Sequence, residues 1–229
     1  LRRFAHLMAQ YPLEQYWALG TNTFRVTENA DAFIASAGGI GIEISVISGV
    51  QEAVLIYAGV ITELPSSDIH RLVVDIGGGS TEIFYQGNGK NLAKSFPLGA
   101  VRILEKKDSP KHWNNLKEWL TKIPSKNIKN IVGVGGNARL INEIVNKQDR
   151  KSSKDELKAL KKELKSKNFD EKVSFYSLPE DRADILEYAI DIFIQIMKFF
   201  PSSYLFDSSW NIVDGVMEKE LQGLSLIHI

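Results

Sequence analysis

The run Val73-Val74-Asp75-Ile76-Gly77-Gly78-Gly79-Ser80-Thr81-Glu82 decides the fold. Residues 71–76 are apolar and β-branched, the pattern of a strand buried on both faces. The strand ends on an acid, passes three glycines and two hydroxyls, and reaches a second acid as residues 81–85 resume the strand pattern. Gly87-Asn88-Gly89 then puts Asn-Gly at the centre of a tight turn, and residues 91–96 read as a third strand. The expected result is an antiparallel meander.

Three consecutive glycines let the backbone take positive φ and approach a ligand closely. The N–H groups of Gly77, Gly78 and Gly79 can converge on one anion, with the hydroxyls of Ser80 and Thr81 as further donors. Asp75 can hold Mg²⁺, which takes carboxylate together with phosphate oxygens. A dinucleotide fingerprint is excluded, because its third spacing fails and a strand follows instead of a helix. A Walker A loop is excluded because no Gly-Lys-Ser/Thr is present. A glycine-rich hairpin without a ligand is the alternative, although three glycines exceed what a hairpin needs.

Outward from this run the chain alternates strands and helices. Upstream, residues 16–20 and 42–47 read as strands, and 30–37 and 48–60 as helices. Pro65, Ser66, Ser67 and Asp68 carry linker chemistry, so a boundary is expected near residues 61–70. Downstream, helices are expected over 99–107, 111–121, 138–145, 153–166, 183–200 and 214–221, with strands over 128–134 and 203–206. Leu157, Leu160 and Leu164 form one stripe of a charged amphipathic helix. Phe193, Phe199 and Phe200 sit at helical spacing and read as core. Asp184, Glu187, Asp191 and Lys198 interrupt the most apolar helix, which excludes a membrane span there. The class is α/β.

The 229 residues carry 28 Lys+Arg against 28 Asp+Glu, and the hydrophobic fraction of 44% is that of a globular chain. There is no cysteine, which excludes disulfides and thiol nucleophiles. Zero net charge argues against a binder of nucleic acid duplexes. Locally the balance differs. Residues 90–130 hold 10 basic against 3 acidic side chains, residues 147–172 hold 10 against 6, and the rest is acidic by 19 − 8 = 11. Such asymmetry fits a polyanion track beside an acidic metal site, and fits solvated helix faces almost as well. No membrane insertion and no secretory signal are read, and a cytoplasmic location is expected.

Three further motifs each carry two readings. Ser48 and Gln51 have capping-box spacing, so Glu52 falls at the edge of a helix's first turn. There it either complements the helix dipole or serves as a general base. Arg25, after Gly20-Thr21-Asn22-Thr23-Phe24, is either a bidentate phosphate contact or a solvated arginine. Gly135, Gly136 and Asn137 at a strand-to-helix junction form either an anion or nucleotide platform or a tight packing turn.

Together these segments resemble the exopolyphosphatase / guanosine-pentaphosphate phosphatase family, of the actin and sugar-kinase superfamily. The resemblance runs in order through Leu1–Ala5, Gly20–Val26, Asn29–Phe33, Ile47–Ala53, Leu55–Val60, Asp75–Glu82, Phe96–Val101, Gly133–Arg139 and Leu178–Asp184. It implies a ribonuclease-H-like, actin-like ATPase fold of two domains with the active site in the cleft between them. The expected division is the back half of a first domain over residues 1–64, a second domain over 65–223, and a tail over 224–229. The resemblance makes Glu52 the carboxylate that activates water and Arg25 a phosphate contact. Asp75, Gly77, Gly78 and Ser80 align with a loop holding phosphate and Mg²⁺, and Glu82 with its trailing acid, a second candidate metal ligand. The implied reaction is hydrolysis of terminal phosphoanhydride bonds of inorganic polyphosphate or guanosine pentaphosphate, and the implied assembly is a homodimer.

Two departures stand out. The family's earlier Asp-Leu-Gly-Ser-Asn-Ser loop has no counterpart here, so an N-terminally truncated chain of weak or no activity is expected. The family's Ser-Asp-Gly-Gly-Leu-Arg-Glu-Gly turn reads Ser208-Ser209-Trp210-Asn211-Ile212-Val213-Asp214-Gly215. A kinase or ATPase of the superfamily and a non-catalytic phosphate binder are the alternatives. The Glu52 segment argues against the kinase.

Overall fold

In a computed structural model of the chain, residues 1–13, 15–64, 70–145 and 148–222 are described. Pro65, Ser66, Ser67 and Asp68 of the expected boundary over 61–70, and the tail over 224–229, lie outside the described residues. The chain forms two compact units, Leu1–Glu52 and Ala53–Ile229, dividing inside a helix where the sequence suggested residue 64.

The first unit holds α1 (Arg2–Met8), β1 (Ala18–Gly20), α2 (Asn22–Val26), α3 (Ala30–Gly38), β2 (Ile44–Val46) and the first turn of α4 (Gly49–Val60). β1 and β2 pair in parallel, Ala18 opposite Ile44 and Gly20 opposite Val46. A parallel pair needs a crossover, which α2 and α3 supply. Residues 22–26 form this short helix although no helical periodicity marks them. Phe24 packs edge-on against Phe33 with ring centroids 5.5 Å apart, which gives the segment an apolar anchor that local propensity does not reveal. The Tyr16 hydroxyl donates to Gly41 O and accepts from Glu43 N, both at 3.0 Å. α1 buries no residue.

The second unit is built on a six-stranded sheet. Its strands are β3 (Arg71–Ile76), β4 (Thr81–Gly87), β5 (Lys90–Phe96), β6 (Asn130–Val134), β7 (Lys151–Ser152) and β8 (Tyr204–Asp207), in the order β5-β4-β3-β6-β8-β7. β3, β4 and β5 form the expected antiparallel meander, while β6 pairs in parallel with β3 and with β8. That order is the ribonuclease-H-like arrangement, and the α/β class holds. Gly87 pairs with Lys90, leaving Asn88 (φ 52°) and Gly89 (φ 69°) as the turn. Both are left-handed, as a type I′ hairpin turn requires.

Helices cover the sheet. They are α5 (Ala100–Leu104), α6 (Pro110–Leu120), α7 (Gly135–Val145), α8 (Lys154–Lys165), α9 (Phe169–Tyr176), α10 (Glu180–Ala183), α11 (Leu186–Met197) and α12 (Ile212–Leu221). Strand periodicity sends Leu72, Val74 and Ile76 into the larger core with Leu120, Ile141, Leu160 and Phe193. Val73, Phe84, Val132 and Val134 point the other way, onto Ile56, Tyr57 and Val60 of α4. The Leu157, Leu160 and Leu164 stripe is buried as expected, and Ser153 and Glu156 close a capping box ahead of it.

The apolar helix expected over 183–200 is broken at Asp184 and Ile185, so that Ala183, Ile185 and Leu186 can all be buried. α4 and α12 cross at two glycines: a Cβ on Gly59 would meet Asn211 O at 2.8 Å, and one on Gly215 would run into Leu55 O. At the end of β8, buried Asp207 takes Arg150 Nη2 at 2.6 Å and Asn142 Nδ2 at 2.9 Å. Among the described residues no helix is long and apolar enough to cross a membrane.

Candidate functional site

In the second unit, β3 leads into the glycine loop and β4 leads out. Gly77 N donates to Ser80 O at 3.0 Å. The carbonyls of all three glycines are held from one side. Gly77 O accepts from Ala100 N at 3.0 Å, Gly78 O from Arg102 N at 2.9 Å, and Gly79 O from Arg102 Nε at 2.8 Å. The expected use of positive φ does not hold for Gly77 and Gly78, whose φ lies outside that range. Glycine is needed here for close approach. A Cβ on Gly78 would press on Val101 Cγ2 at 3.2 Å, and one on Gly99 would strike the Gly78 carbonyl.

The register places Asp75 opposite Glu82 and Ile76 opposite Thr81. Directly opposed residues share a face, so both carboxylates lie on the side of Val73 and Phe84, at the loop end of the sheet. Like charges so placed disfavour the strand pair unless a cation or a proton offsets them. Glu82 is buried and accepts from Ser95 Oγ at 2.7 Å, while Asp75 is partly exposed. One or two carboxylates completed by phosphate oxygens and water suit Mg²⁺. Among the described residues no group of three or more His, Cys, Asp or Glu gathers to form an all-protein cage. Ser80 is buried in the loop. Thr81, expected as a phosphate donor, is fully buried and donates its hydroxyl to Leu98 O at 2.6 Å.

The structure brings the Gly135-Gly136-Asn137 junction to the same strand end. These residues form the first turn of α7, which starts earlier than expected. Buried Asn137 donates from Nδ2 to Ile76 O at 2.8 Å, across 61 positions of sequence. Gly135 has φ +82°, and a Cβ there would sit 3.0 Å from Asp75 Oδ1. A Cβ on Gly136 would lie 3.7 Å from the Arg182 guanidinium carbon. The result is an acid, a glycine loop and a helix N-terminus at one place.

In the first unit, Ser48 caps α4 as expected. Ser48 N donates to Gln51 Oε1 at 2.8 Å and Gln51 N to Ser48 Oγ at 3.2 Å. Glu52 is 8% exposed and takes both terminal nitrogens of Arg25 on Oε2, at 2.9 and 3.0 Å. Arg25 Nη1 also donates to Ile47 O at 2.8 Å. Burial pushes the Glu52 carboxyl above its ordinary range, and the Arg25 hydrogen bonds and charge oppose that shift less strongly. A buried carboxylate held this way has the character expected of a proton acceptor.

Two residues at the loop escape the sequence reading. Ser95 and Arg102 look like an ordinary strand hydroxyl and one more member of the basic tract. A faint signal exists for Arg102, which stands in the first turn after Gly99, where a basic residue opposes the helix dipole.

The fold matches solved structures over nearly its whole length. A Ppx/GppA family member from Aquifex aeolicus aligns with a TM-score of 0.74 at 25% identity, over 97% of this chain and 79% of that one. An exopolyphosphatase from Cytophaga hutchinsonii ATCC 33406 aligns with a TM-score of 0.79 over 98% of this chain and 80% of that one. Its 22% identity speaks for the fold. The model of the Ppx/GppA phosphatase family matches residues 1–223, and the chain therefore belongs to that family.

Proposed function

We propose that the chain hydrolyses terminal phosphoanhydride bonds, releasing phosphate from inorganic polyphosphate or guanosine pentaphosphate. The observation that carries this reading is the glycine loop, whose three carbonyls are all tied back to residues 100–102 while a carboxylate stands at either end. In this reading the amides of Gly78, Gly79 and Ser80 bind the terminal phosphoryl group, while Gly77 N, spent on Ser80 O, closes the loop. Thr81 supports the loop through Leu98 and makes no contact with phosphate. Asp75 and Glu82 would hold Mg²⁺, which when bound neutralises charge on the transferred phosphoryl group. Gly135, Gly136 and Asn137 bear the next part of the polyanion or the nucleotide.

Glu52 takes the proton from the attacking water. The water oxygen bonds to phosphorus, the anhydride P–O bond breaks, and its electron pair leaves with the shortened chain. Arg25 keeps Glu52 ionised and oriented and offers a phosphate contact.

Phosphate release from long-chain polyphosphate and from guanosine pentaphosphate, each with Mg²⁺, tests this reading. Glu52→Gln is expected to lower release at least about 100-fold while polyphosphate binding persists. An unchanged rate in Glu52→Gln overturns the base assignment. A wild-type chain that neither binds nor cleaves either substrate overturns the function.

A further inference from the structure

We infer that Arg102 is a positioning residue that sets the shape of the glycine loop and thereby its affinity for phosphate; this rests on the reading of that loop as a phosphate site.

Each residue of the segment 99–102 meets the loop. Gly99 lies so close to the Gly78 carbonyl that no Cβ would fit. Ala100 N donates to Gly77 O, and a Cβ on Gly78 would press on Val101 Cγ2 at 3.2 Å. Arg102 contributes twice, through its backbone N to Gly78 O and through Nε to Gly79 O. The Nε bond is the one side-chain bond among these, and it holds the last glycine carbonyl. α5 is only Ala100–Leu104, and Gly99 makes no side-chain cap. Two first-turn amides of this short helix, Ala100 N and Arg102 N, are spent on carbonyls of the loop.

Consecutive peptides whose carbonyls are all drawn to one side present their amides to the other. An anion-binding concavity requires that arrangement. Glycines left to themselves would sample many orientations, because glycine has the broadest backbone freedom. Fixing the loop before phosphate arrives removes an ordering cost from binding. The guanidinium also brings a positive charge behind the loop, which favours an anion in front of it.

The test compares wild type with Arg102→Met, which keeps the stem and loses the donor, and with Arg102→Lys. Two quantities are read: hydrogen exchange of the backbone over residues 77–82, and the dissociation constant of inorganic phosphate measured by calorimetry. Neither depends on turnover. In Arg102→Met, loop exchange is expected to rise about 10-fold and phosphate binding to weaken about 5- to 10-fold, the worth of one hydrogen bond. Exchange in β6 and α11 should stay unchanged. Arg102→Lys should recover part of both effects. If Arg102→Met does not fold, Arg102→Lys decides alone: affinity and loop exchange equal to wild type overturn the inference.

Loop exchange and phosphate affinity unchanged in a folded Arg102→Met overturn it as well. Loop exchange that rises in a chain with no wild-type affinity for phosphate leaves the clamp standing and sinks the phosphate-site reading. The two failures are therefore distinct.

Discussion

The two units hold their functional groups by different means. In the second unit the glycine loop hangs from strands whose Leu72, Val74 and Ile83 are fully buried, and Ala100 and Leu98, which bond Gly77 O and the Thr81 hydroxyl, belong to the same core. In the first unit Phe4 is 65% exposed, Tyr11 61% and Val26 59%, and two three-residue strands form the whole sheet. Glu52 is nevertheless buried there. It is held by a few direct bonds: the helix start is capped at Ser48, and Arg25 pairs with the carboxylate while donating to the Ile47 carbonyl. A backbone site needs packing behind it, whereas a side-chain acid can be set by a few direct bonds.

That contrast can be broken most severely where the second unit is tightest. Gly215→Val drives a branched side chain into the Leu55 carbonyl. It should cost about 3 kcal/mol or more of stability in urea denaturation, because backbone cannot retreat as a side-chain tip can. Hydrogen exchange should rise across the sheet of the second unit and remain as in wild type over residues 18–46. Equal loss in both units would show that the glycine crossing is not confined to the second.

In the first unit, Arg25→Met leaves a buried carboxylate without its cation. The expected loss is about 1–2 kcal/mol, read as faster hydrogen exchange over residues 44–52. A loss as large as that of Gly215→Val would overturn the idea that a few direct bonds suffice there.

The same pair sharpens the comparison through pH. Folded Glu52 titrates above the ordinary glutamate range, chiefly through burial. A carboxyl so raised contributes stability that is full below the unfolded value and is lost as pH rises through the folded one. Wild type should therefore lose stability relative to Glu52→Gln as pH rises above 4.5. Removing Arg25 should move that window higher. Paired denaturation curves from about pH 4 to about pH 8 check it, and a pH-independent difference would refute it.

The smallest effect belongs to a turn far from either site. Gly89→Ala puts a Cβ on a residue at φ +69° and should cost about 1 kcal/mol without changing phosphate affinity.

Part of this was legible in the residues alone. The β-branched run of β3, the Asn88-Gly89 turn, the leucine stripe of α8 and the caps at Ser48 and Ser153 depend on neighbours within a few positions. Periodicity and turn chemistry suffice for them. Less was legible where a local pattern had to yield to packing. α2 forms on the Phe24–Phe33 contact, and the expected helix over 183–200 breaks to bury three residues.

The site divides along the same line. The order Asp75-Ile76-Gly77-Gly78-Gly79-Ser80 marks an anion loop from its composition, because only glycine allows a backbone to come so close. The sequence also determined that an acid follows a capped helix start at Glu52. What the loop's glycines approach was decided by the tertiary structure, which sets residues 99–102 behind them. Tertiary structure also spent the Thr81 hydroxyl on Leu98 and bound Asn137 to Ile76 across 61 positions. Those contacts join segments that no periodicity relates, so they exist only once the sheet order β5-β4-β3-β6-β8-β7 has brought the strand ends together.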